Sequence, residues 1–240
     1  MDGFLLNGKP VTAILQEMAK HGNPGFVSAL NPGIPGVLGC RVPDLRKLAK
    51  RIAATDEWPL YLKSAGTRFM EERLLYGLVA GYIPIRTTFK EYLTGIVDPF
   101  VKRINCWTVC DAFKPAGGAA YMEAHKGEWW DYLQLKMQSN NEYTLRFAVV
   151  MTMRYFISPE YLPRLFLSWE TIHHPGYYVR MAVAWALSEC FARYPNQTLL
   201  YLKSGRLEPA TLQKALQKII ESKRVTPEVK SEIRQLKHTR

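Results

Sequence analysis

The chain has 240 residues, and its 32 Lys and Arg against 21 Asp and Glu give a formal net charge of +11 at pH 7. A chain of this length buries enough apolar surface to fold without disulfides or metals, and we expect one domain over residues 1–240. The start MDGFLLNGKP lacks a charged region followed by an apolar stretch, and the longest apolar runs are interrupted by Arg154, Arg180 or Glu189. We therefore expect neither a signal peptide nor a membrane span. The excess of positive charge favours a polyanionic partner.

Cysteine and histidine usage argues against a metal centre. The cysteines show no CxxC spacing and no secretory context: Cys40, Cys106, Cys110 and Cys190. We interpret them as reduced, buried thiols of a cytoplasmic protein. The adjacent histidines His173 and His174 run directly into Pro175, where no helix presents them at ligand spacing. We therefore expect no metal and no cofactor.

In chain order, apolar residues at three-to-four spacing predict an all-α fold. Helices are expected over 9–21, 43–54, 67–81, 86–97, 105–114, 127–138, 141–157, 159–169, 176–194, 196–204, 208–222 and 226–237. Several open with a proline near the first turn, as at Pro43, Pro195 and Pro209. The Gly/Pro-rich stretch from Asn23 to Gly39 is expected to be irregular.

A sequence period accompanies the helices. The segment Leu145–Val149 (LRFAV) recurs 34 residues later as Val179–Val183 (VRMAV). Two helices per period of this size are typical of HEAT or TPR solenoids, whose stacked units form an extended concave surface. We predict HEAT-like repeats in a curved α-α superhelix with a basic concave groove.

Two helices carry residues displaced from their apolar stripe. In 105–114 the stripe is Cys106, Val109, Cys110 and Phe113, which leaves Trp107 and Asp111 together on another face. In 176–194 the stripe is Val179, Ala182, Val183, Ala186 and Cys190, which leaves Trp185 between small neighbours. Each tryptophan either packs between repeats or presents its ring to a ligand. Asp111 either forms a salt bridge or carries chemistry.

Arg146 lies about a quarter turn from the stripe of helix 141–157, on a mainly apolar flank. Such a side chain either extends to water or points its guanidinium at a phosphate or carboxylate. Other cations recur along the chain and form either solvated helix faces or a duplex groove. As phosphate-binding residues we select Arg146, Arg46, Lys47, Arg180, Lys214 and Lys218.

Together these segments resemble the AlkD family of HEAT-repeat DNA alkylation-repair glycosylases. The resemblance covers Gly36 to Lys218. It is carried by GCRVPDLR from Gly39, NCWTVCD from Asn105, LRFA from Leu145, AWALSE from Ala184, and the block from Val179 to Tyr194 followed by Leu207-Glu208-Pro209. The order and spacing of these motifs are more specific than any one of them.

The resemblance implies site residues and an activity. Trp107, Asp111 and Trp185 fall where the family keeps its lesion-facing aromatic and acidic cluster, and Arg146 where it keeps an arginine on the DNA backbone. The family's DNA-facing aromatic on an N-terminal helix has no counterpart in residues 29–33, where Pro32 and Gly33 are expected to break a helix. The implied activity is that of a monofunctional glycosylase, acting as a monomer on duplex DNA with alkylated bases.

The predicted chemistry is excision of cationic purines such as 3-methyladenine and 7-methylguanine. These bases leave as neutral molecules without an acid, so the protein need only stabilise positive charge on the sugar and position water. One carboxylate and two aromatic faces suffice for this task. Two alternatives remain open: a non-catalytic protein that recognises damaged or branched DNA, and a HEAT adaptor for an acidic protein.

Overall fold

The computed structural model describes residues 3–238, and the chain divides into two compact units, Met1–Lys126 and Gly127–Arg240. We call them unit 1 and unit 2 and describe each by itself. Both consist of helices packed on helices, which confirms the all-α class. The expectation of one domain over residues 1–240 stays a prediction. Among residues 3–238, no helix combines the length and apolarity that crossing a membrane requires.

Unit 1 begins with a small hairpin, β1 (Leu5–Leu6) and β2 (Lys9–Pro10), paired antiparallel. Its turn residues Asn7 and Gly8 have φ angles of 52° and 74°. Asn-Gly is a strong signal for such a turn because both residues tolerate the left-handed conformation. The sequence analysis did not predict this hairpin, because only two residues on each strand form the ladder and so short a strand shows no alternation.

The helices of unit 1 follow the hairpin. They are α1 (Val11–Ala19), α2 (Pro24–Leu30), α3 (Val42–Ala53), α4 (Trp58–Ser64), α5 (Met70–Tyr82), α6 (Phe89–Tyr92), α7 (Asp98–Val101), α8 (Trp107–Ala112) and α9 (Gly118–Ala124). Helix α5 is buried along most of its length and packs against α3, α7 and α8. It therefore forms the centre of unit 1.

A buried carboxylate on α5 holds the loop that precedes α3. Glu71 is fully buried, and its oxygens accept hydrogen bonds from the backbone N–H groups of Leu38, Gly39 and Cys40 at 3.0, 2.7 and 3.3 Å. Gly39 has a φ angle of 79°, and a Cβ atom there would lie 2.3 Å from the Pro24 nitrogen. The loop therefore requires glycine at this position and fixes where α2 starts.

Three segments of unit 1 correct the predicted helix boundaries. The predicted helix 86–97 continues through Pro99 to Val101, because a π-helical turn (Leu93–Val97) precedes α7. Such a turn shifts the hydrogen-bond ladder that an interior proline would otherwise break. Helices α4 and α9 were not predicted, since each has only seven residues and shows too little apolar periodicity.

The stretch expected to be irregular also contains a helix, α2. Asn23 caps it by accepting a hydrogen bond from the Phe26 N–H at 3.0 Å, and Pro24 occupies the first helical position. An Asn-Pro pair is a recognised start signal because proline preorganises the first turn and needs no N–H partner there. The expectation of irregular structure over 23–39 is wrong for residues 24–30.

Unit 2 arranges its helices in two alternating rows. They are α10 (Lys126–Lys136), α11 (Glu142–Tyr155), α12 (Leu162–Glu170), α13 (Tyr177–Arg193), α14 (Pro195–Lys203), α15 (Pro209–Glu221) and α16 (Pro227–His238). Helix α11 packs on α13 and α13 on α15. In the other row, the Ser168 hydroxyl of α12 donates to Gln134 of α10 at 2.8 Å, and Tyr201 of α14 stacks on Phe166 of α12 with ring centroids 4.2 Å apart. Alternation of two rows is the arrangement expected of paired-helix repeats.

Candidate nucleic-acid interface

Helix α8 has the orientation that its apolar spacing predicted. Cys106, Val109, Cys110 and Phe113 are all at most 2 % exposed. Trp107 and Asp111, four residues apart, are only half-buried. The helix therefore turns an indole and a carboxylate, neighbours on one face, away from the core of unit 1.

Helix α2 fixes the position of Trp107. The Trp107 indole Nε1–H donates to the Leu30 carbonyl at the end of α2, at 2.8 Å. The next residue, Thr108, donates its hydroxyl to the Asn31 Oδ1 at 2.8 Å, and Asn31 is 2 % exposed. Because a buried amide needs its partners, these bonds dock α2 onto the first turn of α8.

Helix α2 also carries an exposed aromatic ring. Phe26 is 61 % exposed, and it lies one turn before Leu30, which is 45 % exposed. Residues 29–33, where the resemblance places the family's DNA-facing aromatic, contain none. The structure instead places Phe26 on α2, the helix whose end accepts the Trp107 hydrogen bond. The Asn23-Pro24 start signal could have revealed this helix, and with it Phe26.

Arg146 lies on α11 and is 6 % exposed. Its Nη1 donates to the Tyr178 carbonyl in the first turn of α13 at 2.8 Å. The rings of Tyr143 on α11 and Tyr178 on α13 stack with centroids 5.7 Å apart. The guanidinium is therefore held at the α11–α13 contact by the Tyr178 carbonyl, and its contact with a phosphate stays a prediction.

Trp185 lies two turns after Tyr178 on α13. The predicted stripe of this helix is confirmed, since Val179, Ala182, Val183, Ala186 and Cys190 are buried, while Trp185 is half-buried. Its Nε1–H donates to the Glu189 Oε1 at 3.2 Å. The same carboxylate oxygen forms an ion pair with Arg224, which follows α15. Sequence analysis had singled out neither Glu189 nor Arg224 for the site.

The predicted cations of unit 1 lie on α3. Arg46 donates to the Tyr82 hydroxyl at 3.3 Å, and the Lys50 ammonium lies 5.5 Å from the centroid of the same ring. The Lys47 ammonium lies 3.5 Å from Asp44, with 80 % of its side chain exposed. Arg46, Lys50 and Tyr82 thus form a local basic and aromatic group that sequence spacing alone did not reveal.

The predicted cations of unit 2 differ in exposure. Arg180 on α13 is half-buried, and its Nη2 lies 3.7 Å from the Glu208 Oε1. Lys214 is exposed on α15, and Lys218 is half-buried in the last turn of that helix. Lys214 is the most exposed of these three residues, so it is the most available to a polyanion.

All four cysteines are buried, and none of them forms a disulfide. Burial raises the pKa of Cys40 to about 11, with a further contribution from the nearby Glu71 carboxylate. Burial also raises the pKa of the Cys106 and Cys190 thiols. These thiols stay protonated near neutral pH and are poor nucleophiles. Within residues 3–238, no group of three or more His, Cys, Asp or Glu side chains is placed to hold a metal ion.

The architecture and the sequence together define the class of protein. The rows of paired helices in unit 2 are typical of helical-repeat proteins, and the excess of cations favours a polyanionic partner. Residues 13–219 match the family described as DNA alkylation repair enzyme, and the chain belongs to this family. The AlkD-like resemblance is thus confirmed, and with it a role in DNA alkylation repair and an interaction with DNA. No curated protein matched the chain.

Proposed function

We propose that the protein is a DNA glycosylase that excises cationic alkylated purines from duplex DNA. The observation that carries this proposal is the half-buried pair Trp107 and Asp111 on α8, which faces away from the core in a chain of the DNA alkylation repair family. The reaction to which they are suited is loss of a base that is already positively charged.

The main catalytic requirement of this reaction is to stabilise the positive charge that develops on the sugar. When an N3- or N7-methylated purine departs, the bond electrons leave with the base, the base becomes neutral and the sugar develops oxocarbenium character. We assign Asp111 to stabilise that positive charge and to orient the attacking water. Trp107 and Trp185 are each assigned to present an electron-rich ring face to the cation. No covalent intermediate with the protein is required.

DNA is held by charge and by aromatic contact in this proposal. Arg46, Lys47, Arg146, Arg180, Lys214 and Lys218 are assigned to phosphates, which supply most of the sequence-independent affinity. Phe26, the exposed aromatic residue of α2, is assigned to contact the DNA. The proposed protein acts as a monomer, since one chain carries every residue named, and the proposed location is the cytoplasm.

The test is release of free base from methylated duplex DNA. Purified protein should release 7-methylguanine or 3-methyladenine, detected by chromatography, from duplex treated with a methylating agent. It should release neither uracil nor hypoxanthine, because a neutral base needs a proton from an acid that this set of residues lacks. Binding of methylated duplex without release of any base would reject the glycosylase in favour of a non-catalytic DNA-binding protein.

A further inference from the structure

Beside Trp185, within unit 2, lies the Glu189 carboxylate, which has a cationic partner of its own. Glu189 accepts the indole N–H of Trp185 at 3.2 Å, and its Oε1 also pairs with the Arg224 guanidinium. The Glu189 side chain is 21 % exposed, whereas that of Arg224 is 49 % exposed. The three side chains form one chain of contacts, with the charge of the carboxylate between the ring and the arginine.

Arg224 comes from outside the part of the chain that matches the family. That match ends at residue 219, and Arg224 lies in the turn between α15 and α16. Its backbone N–H donates to the Ser222 hydroxyl at 3.3 Å, which helps to hold the turn in place. The C-terminal segment therefore adds a cation to the surroundings of Trp185 that the family match itself does not include.

We propose that Glu189 is a positioning residue for Trp185 and that Arg224 sets how much of the Glu189 charge acts at the ring. This inference rests on the proposed glycosylase function. A hydrogen bond from an N–H group to a carboxylate is stronger and more directional than one to a neutral acceptor, so Glu189 fixes the plane of the indole. It also places a negative charge at the ring edge, which adds to the attraction that the ring face exerts on a cation.

Arg224 opposes that attraction as long as it pairs with Glu189. Because half of its side chain is exposed, the guanidinium can exchange the carboxylate for a phosphate oxygen of bound DNA. The exchange leaves the Glu189 charge without its partner and makes the surroundings of Trp185 more negative. Binding of the DNA backbone thereby strengthens stabilisation of the sugar cation.

The experiment compares Glu189→Gln with Arg224→Gln in the full-length protein. Glu189→Gln keeps an acceptor for the indole N–H but removes the charge. We expect single-turnover release of 7-methylguanine at saturating protein to slow by about three- to tenfold, the scale of one cation–π contribution. Arg224→Gln should release base at least as fast as the unmodified protein under those conditions. Its slope of log affinity against log salt for undamaged duplex should fall by about 0.9.

Two further variants separate positioning from general damage to the fold. Arg206→Gln is the matched control, since its guanidinium lies 3.9 Å from Glu170 in another ion pair of unit 2, and it should leave the rate unchanged. Glu189→Gln should also alter tryptophan fluorescence, and the change should disappear in a Trp185→Phe background. If the ion pair had only a structural role, loss of either partner would slow release by a similar factor.

The outcomes distinguish this inference from the proposed function. If the unmodified protein releases 7-methylguanine and Glu189→Gln does so at the same rate, the role of Glu189 is refuted while the glycosylase stands. If Arg224→Gln slows release as much as Glu189→Gln, Arg224 does not control the charge as proposed. If the unmodified protein releases no base, the glycosylase itself fails and this inference fails with it.

Discussion

Trp107 in unit 1 and Trp185 in unit 2 are both half-buried and both donate their indole N–H within the protein, but to different partners. Trp107 donates to a neutral backbone carbonyl of α2, and Trp185 donates to the Glu189 carboxylate, which is itself paired with Arg224. One ring is thus tied to the position of a neighbouring helix, and the other to a local charge. Two half-buried indoles are thus held in different ways, one by a neutral hydrogen bond to a neighbouring helix and the other by a bond to a charged group.

The largest expected effect tests whether unit 1 contributes charge as well as an aromatic ring. Asp111→Asn keeps the shape and hydrogen-bonding reach of the side chain but removes its charge. Release of 7-methylguanine under single-turnover conditions should fall by about 100- to 1000-fold, the scale of one electrostatic catalytic group, with duplex affinity nearly unchanged. Asp131→Asn, at an exposed position on α10, is the control and should have no effect. Equal rates for Asp111→Asn and the unmodified protein would refute the catalytic role.

A smaller effect should follow from Arg146→Ala in unit 2. The variant loses the buried, charged group that donates to the Tyr178 carbonyl. The free energy of unfolding, measured by chemical denaturation, should therefore fall by about 1.5–3 kcal/mol. If Arg146 also contacts a phosphate, the slope of log affinity against log salt should fall by about 0.9. Arg146→Lys keeps the charge but not the geometry of the guanidinium. It should therefore keep the slope of log affinity against log salt close to that of the unmodified protein, while the free energy of unfolding still falls. An unchanged slope in Arg146→Ala would leave Arg146 with a structural role only.

The smallest expected effect sharpens the contrast between the two indoles. Phenylalanine at either position keeps an aromatic face but removes the N–H. In Trp107→Phe, α2 loses a bond worth about 0.5–1.5 kcal/mol, so amide hydrogen exchange over residues 24–31 should accelerate by about two- to twelvefold. Trp185→Phe should leave exchange in that helix unchanged. Equal protection of α2 in both variants would show that packing, and not the Leu30 carbonyl bond, holds it in place.

The fold could largely be predicted because long amphipathic helices show their burial in their spacing. The stripes assigned to residues 105–114, 141–157 and 176–194 are buried as expected, and the family resemblance is confirmed. Short elements were missed, as with α2 and the Leu5–Leu6 hairpin strand, since a few residues cannot show a period. Their start and turn signals, Asn23-Pro24 and Asn7-Gly8, were nonetheless present.

The candidate site was less accessible to sequence reasoning than the fold. Helical phase identified Trp107, Asp111 and Trp185, because each departs from an apolar stripe. It could not identify their partners, since Leu30 lies 77 residues before Trp107 and Arg224 lies 35 residues after Glu189. Contacts between distant segments depend on how helices pack, and the spacing within one helix carries no information about them.

The even spacing of contacts in unit 2 has a consequence for how that unit folds. The bonds between neighbouring helices of the same row join residues 32 to 35 positions apart, as for Arg146 with Tyr178, Ser168 with Gln134, and Tyr201 with Phe166. The entropic cost of closing a loop depends only weakly on its length, so each helix pair docks at nearly the same cost as the one before it. During synthesis, a pair can dock once about one further period has left the ribosome, without waiting for the C-terminus. Assembly by such short-range steps limits how long apolar helix faces stay exposed in the nascent chain.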